Sequence, residues 1–123
     1  MRMRLPSLLA ALAAASSMAV AAAPAAGRYD GQLCVATKTA TAPSCGAALV
    51  ELRSGGRVEV RVADIAWRLA LRSSQLDALT MHGNIQIDAF SAPYEWAGDV
   101  LRFTDAAKGA AYEVRLQGPR PAR

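Results

Sequence analysis

The sequence predicts an all-β protein: a single small antiparallel β domain of seven or eight short strands, forming a small barrel or a curved sheet packed on itself, with one disulfide. Three observations predict it. Arg57–Leu71, RVEVRVADIAWRLAL, alternates apolar and polar residues in two successive runs. Shorter runs of the same alternation recur along the chain between turn residues. Cys34 and Cys45 are the only cysteines.

The strongest stretch sets the frame. Val58, Val60 and Val62 share one face of an extended chain, against Arg57, Glu59 and Arg61. Ile65, Trp67, Leu69 and Leu71 share the next, against Ala66, Arg68, Ala70 and Arg72. Period two is the mark of a half-buried strand. The phase changes at Ala63-Asp64, which a two-residue connection explains. That hairpin pairs Val62 with Ile65, Val60 with Trp67 and Val58 with Leu69, and sets Glu59 opposite Arg68. Ala-Asp is not a favoured turn pair, so a bulge in one long bent strand is the structural alternative. A helix over Asp64–Leu79 capped by Asp64 is the rival reading; it would scatter Trp67 and Leu71 away from Ile65 and Leu69.

The chain start reads as an export signal over residues 1–21. Arg2 and Arg4 form a basic start, Leu5–Val20 an apolar core, and Ala19-Val20-Ala21 a small-residue cleavage site. The expected compartment is the bacterial periplasm or the medium. Residues 22–28 then read as a flexible N-terminus, 29–117 as the β domain and 118–123 as a disordered tail. Loss of Arg2 and Arg4 lowers the net charge from +4 to +2. No basic run follows, so nucleic acid is not an expected partner, and no later stretch is apolar enough for stable membrane insertion. Arg57, Arg61, Arg68 and Arg72 could form a strip, but Glu51, Glu59 and Asp64 are interspersed, which reads as a solvated sheet face.

An oxidising compartment and two cysteines predict a Cys34–Cys45 bond. The segment it encloses, VATKTATAPS, reads as a loop. The first strand is Arg28–Ala36 and the second Ala47–Arg53. Ser54-Gly55-Gly56 is the strongest turn signal. A three-residue loop there sets Leu52 opposite Val58 and Val50 opposite Val60, and also brings Glu51 opposite Glu59, an unfavourable like-charge pair. After the central hairpin, Arg72–Gln75 reads as a turn, and Leu76–Met81 and Ile85–Phe90 as strands. The phase between Leu76 and Ile87 is ambiguous, and a bulge near Leu79 reconciles it. Ser91-Ala92-Pro93 reads as a break before a short piece holding Tyr94 and Trp96. Gly98-Asp99 is a turn, Val100–Phe103 a strand, Asp105–Gly109 a loop or helical turn, and Ala111–Leu116 the closing strand.

Chemistry is sparse. There is no P-loop, dinucleotide fingerprint or HExxH, and no serine nucleophile in a strand-turn-helix setting. His82, the only histidine, could serve as a base oriented by Asp77 or Asp88. Glu95 and Asp99 flank Trp96 and could be paired carboxylates for sugar hydrolysis. A turn residue and surface carboxylates are the plainer readings. No metal or cofactor is expected. The candidate binding residues are Tyr94, Trp96 and His82, on loops the strands would hold rigidly; Trp67 reads as core. The leading functional expectation is a non-enzymatic binding or interaction module of the cell envelope, with an envelope protein or polysaccharide as partner. The alternatives are a small periplasmic hydrolase using Glu95, Asp99 or His82, and a structural envelope protein without a soluble ligand. Intact-mass measurement of the exported protein should show loss of about 21–23 residues; an intact Met1 in that pool would contradict the export reading.

Overall fold

The structure, a computed structural model, describes residues 23–120. The export signal read at 1–21 lies outside them. Eight strands follow in order: β1 Gly27–Thr37, β2 Ser44–Arg53, β3 Arg57–Val62, β4 Ile65–Leu71, β5 Gln75–His82, β6 Ile85–Ala97, β7 Val100–Asp105 and β8 Ala110–Pro119. Each pairs antiparallel with its sequence neighbours, and β8 returns to β1 to close a barrel. Closure gives inward side chains a dry interior and leaves no strand at a free sheet edge.

The central hairpin has the register its alternation requires. Val62 faces Ile65, Val60 faces Trp67, Val58 faces Leu69 and Glu59 faces Arg68. Val58, Val60 and Leu69 are buried in the core, while Trp67 is half-buried and packs against it. The helical rival for Asp64–Leu79 is therefore excluded. The turn itself is strained: Ala63 has φ 54°, a left-handed conformation that costs an L-residue about 1–2 kcal/mol. Glycine serves the neighbouring turn at Gly56, where φ is 77° and an added Cβ would strike the Leu71 carbonyl.

The like-charge pair is real, and arginine resolves it. Glu51 does face Glu59. Arg53 Nη2 donates to both carboxylates, at 3.1 and 3.3 Å, and Arg61 Nη2 donates to Glu59 at 2.7 Å. The repulsion expected from the ladder is replaced by a shared cationic bridge.

Several boundaries move. Strand pairing continues through the disulfide, with Cys34 opposite Cys45 and Val35 opposite Ser44, so the connecting loop is only Lys38–Pro43. Pairing also extends past 29–117, because Gly27 and Arg28 join β1 and Gly118 and Pro119 join β8. The expected break at Ser91-Ala92-Pro93 is absent, since β6 runs unbroken through Pro93. Pro93 stands opposite Gln75, the last pair of the β5–β6 ladder, and β6 takes β7 as its partner from Tyr94 onward. A missing N–H is tolerated at such a change of partner. The ambiguous phase resolves with Leu76, Ala78 and Thr80 inward. The bulge falls on β6 rather than at Leu79: Thr80 faces Asp88 and Met81 faces Gln86, leaving Ile87 unpaired. Ile85 and Ile87 are accordingly 66% and 55% exposed.

The core runs through every strand, with Val50, Val60, Leu76, Leu101 and Val114 among its most enclosed side chains. All seven aromatic residues belong to it or pack against it. Phe90, Phe103 and Tyr112 stack across the interior with centroids 5.1–6.1 Å apart. Charged side chains lie outside with the exception of Asp105, which is buried. Ala63→Gly should raise stability by about 0.5–1 kcal/mol, because relief of positive φ exceeds the added chain entropy. Gly56→Ala should lower it by roughly 2 kcal/mol or more. Urea unfolding of both variants tests the turn geometry, and equal midpoints would contradict it.

Candidate functional site

The outer wall of β2–β6 carries a broad concavity. Its origin lies in side-chain size. One outward row across the ladders is Arg53, Arg57, Ala70, Asp77 and Ser91. The next is Glu51, Glu59, Arg68, Leu79 and Ala89. Ala70 and Ala89 leave hollows between longer neighbours, and a groove of about 950 Å³ results. Arg53, Arg57, Arg61 and Arg68 surround its β2–β4 end, while Leu79, Ala89 and Ser91 lie at its β5–β6 end.

The charges within the groove are not equivalent. Glu59 lines its β2–β4 end with a side chain only 14% exposed, held by Arg53 and Arg61. Asp77 accepts from Ser91 Oγ at 2.6 Å and from Arg72 at 2.8 and 3.1 Å. These bonds hold its carboxyl below the usual range, the serine contact first and the guanidinium second. Arg57 and Arg68 form no ion pair among the described residues and are exposed. The strip read from sequence is thus redrawn. Arg57, Arg61 and Arg68 line the groove, Arg53 joins them, and Arg72 is occupied by Asp77.

The residues singled out from sequence lie elsewhere and do not form one site. Tyr94 and Trp96 are half-buried and pack against the core. The Tyr94 hydroxyl donates to the Arg72 carbonyl, tying β6 to the turn after β4. His82 lies at the far tip of β5, opposite Ile85. Nine residue steps of a strand bulged at Ile87 separate Ile85 from Tyr94, at most about 30 Å at 3.3 Å per residue. The expected partners of His82 are engaged by others, Asp77 by Arg72 and Ser91, and Asp88 by Lys108 at 2.5 Å. His82 instead places Nε2 2.7 Å from Asp64 Oδ2, because β5 ends beside the β3–β4 turn. Both side chains are exposed.

Glu95 lines a second hollow of about 460 Å³, which Asp99 does not line. There Arg102 lies 3.6 Å from Glu95 and 3.2 Å from Glu113, and Arg115 lies 2.7 Å from Glu113. This hollow is charge-compensated, whereas the groove holds two unpaired guanidinium groups. Every carboxyl with a resolved shift is lowered: Glu51 by Arg53, Asp64 by His82, Asp77 by Ser91, Asp88 by Lys108 and Glu113 by Arg115. No protein-family model, characterised protein or solved structure matches the chain.

Of the groove, the sequence showed only the strip Arg57, Arg61, Arg68 and Arg72, which reads there as a solvated sheet face. Leu79, Ala89 and Ser91 were not visible, because they reach the groove only through ladders whose bulge sequence could not place. The lowered carboxyls carry a pH signature. For Asp77 the folded value lies below the ordinary 3.8, so the unfolded chain binds the extra proton between the two. Its contribution is fully present above that ordinary value and is lost as pH falls through the lowered one. Urea midpoints measured from about pH 5 down to pH 2 should therefore fall less steeply in Asp77→Asn than in wild type; parallel curves would contradict the bonding described for Asp77.

Proposed function

We propose that the protein is an exported, non-enzymatic binding module whose working surface is the basic groove on the outer wall of β2–β6. The single observation that carries this reading is the placement of Arg57 and Arg68, exposed and unpaired, in a groove of about 950 Å³. Cationic groups left without internal partners favour an anionic ligand through charge complementarity. Guanidinium groups suit carboxylates and phosphates, which they bind in a bidentate manner.

The barrel supports such a role by rigidity. The charged groove residues are outward positions on strands whose chain neighbours are core, as Arg57 is beside Val58 and Arg68 beside Leu69. A surface held in this way loses little entropy on binding. The Cys34–Cys45 bond suits an oxidising compartment such as the periplasm or the medium. Phe90 is the one aromatic residue lining the groove, and its ring packs on Phe103 and Tyr112. An anionic envelope component is the partner class this surface favours.

Cross-linking capture from an envelope extract tests the proposal. Wild type and Arg102→Glu, which alters the compensated hollow, should capture the same component. Arg57→Glu/Arg68→Glu, shown to be folded by circular dichroism, should lose it. Capture that is unchanged in the double variant would overturn the groove as the binding surface. Turnover of an envelope substrate that vanishes in folded Glu95→Gln or His82→Ala would replace the module with a hydrolase.

A further inference from the structure

The groove has a direction, and that direction specifies its occupant. Its β3–β4 end presents Arg57, Arg61 and Arg68, while its β5–β6 end presents Leu79 and Ala89. Asp77 contributes little free negative charge, since Arg72 and Ser91 already occupy its oxygens. A ligand that fills the groove must be anionic at one end and aliphatic at the other. From β2 to β6 the groove crosses four inter-strand spacings, about 19 Å at 4.8 Å each. An extended chain covers that distance with about six residues.

Resting on the groove as the binding surface, we propose that its occupant is an extended acidic–aliphatic segment of a partner protein. Two observations favour a peptide over the other anions of an envelope. The wall is open, and besides its polar residues it is lined by Val58, Leu69, Leu79, Phe90 and three alanines, so it offers no enclosed channel for an acyl chain. Its apolar half offers the hydroxyl-rich face of a sugar polymer only Ser91 and Asp77, which are already bonded to each other. An extended peptide meets both ends: carboxylates reach Arg57 and Arg68, and short aliphatic side chains settle beside Ala70 and Ala89. Glu59 acts as a positioning residue. It fixes Arg53 and Arg61 by direct bonds and leaves Arg57 and Arg68 as the cations open to a ligand.

Fluorescence anisotropy with a dye-labelled Glu-Glu-Glu-Val-Ala-Val peptide tests this, with Lys-Lys-Lys-Val-Ala-Val as control and amide NMR shifts to locate the contact. Wild type should bind the acidic peptide and not the basic one, more weakly as salt rises. Arg57→Gln/Arg68→Gln should weaken binding about tenfold or more. Glu59→Gln, which removes a negative charge from the β2–β4 end, should tighten it about two- to threefold; a misfolded variant could not produce that gain. Shifts should centre on the outward positions of β3–β5. Binding unaffected by the arginine pair, or shifts centred on β7 and β8, would overturn the proposal. Arginine-dependent binding of phosphatidylglycerol vesicles or a polyuronate, without the peptide, would overturn the peptide assignment and leave the groove reading standing. Failure of all three anions to bind in an arginine-dependent way would remove both.

Discussion

Everything outside the barrel depends on a register inside it. The β3–β4 ladder places Val60 opposite Trp67, and a strand has only two faces. A slip of one residue would turn Val58 and Val60 to solvent and drive Arg57, Glu59 and Arg61 into the core. Burial of the valines therefore fixes the outward position of the charges. The groove needs no separate folding instruction, because it is the other side of the alternation that builds the core. The strained Ala63 turn fits this view: a conformational cost at one residue is accepted where two strands of buried side chains determine the connection.

Electrostatics then acts on a layout that packing has already set. The hydrophobic register forces Glu51 against Glu59, and the surface answers with arginine rather than with a change of register. Arg53 bridges both carboxylates and Arg61 takes the second oxygen of Glu59. Exposed pairs of this kind contribute little to stability individually. Their consequence here is positional, since Glu59 engages Arg53 and Arg61 and leaves Arg57 and Arg68 open. The second hollow shows the contrast, with Arg102 and Arg115 gathered around Glu95 and Glu113. Similar residue types give a closed charge network on one wall and an open one on the other.

What the sequence made legible was local and periodic. The central hairpin and its cross-strand partners followed from alternation and a phase change over fifteen residues, and the Glu51–Glu59 conflict was visible before its solution. The rest depends on relations that alternation does not carry. The bulge at Ile87 corrects the face of everything after it on β6, and only the β5 ladder locates it. Pro93 reads as a breaker from its chemistry, yet it lies where β6 exchanges one neighbour for another. Tyr94 and Trp96 read as surface candidates because of that supposed break, and the unbroken strand turns them toward the core. The groove emerges from five strands at once, and small residues on one strand become hollows only when their neighbours on the next are known.

The most direct measurement is the set of cross-strand proton contacts in the folded protein, read by NMR from the β3–β4 hairpin. The β3–β4 register requires contacts linking residue 58 with 69, 60 with 67 and 62 with 65, with the side chains of Arg57, Arg61 and Arg68 on one common outer face. A set displaced by one residue, joining Val60 with Arg68, would contradict it, because the core and the basic groove would both be lost with the register.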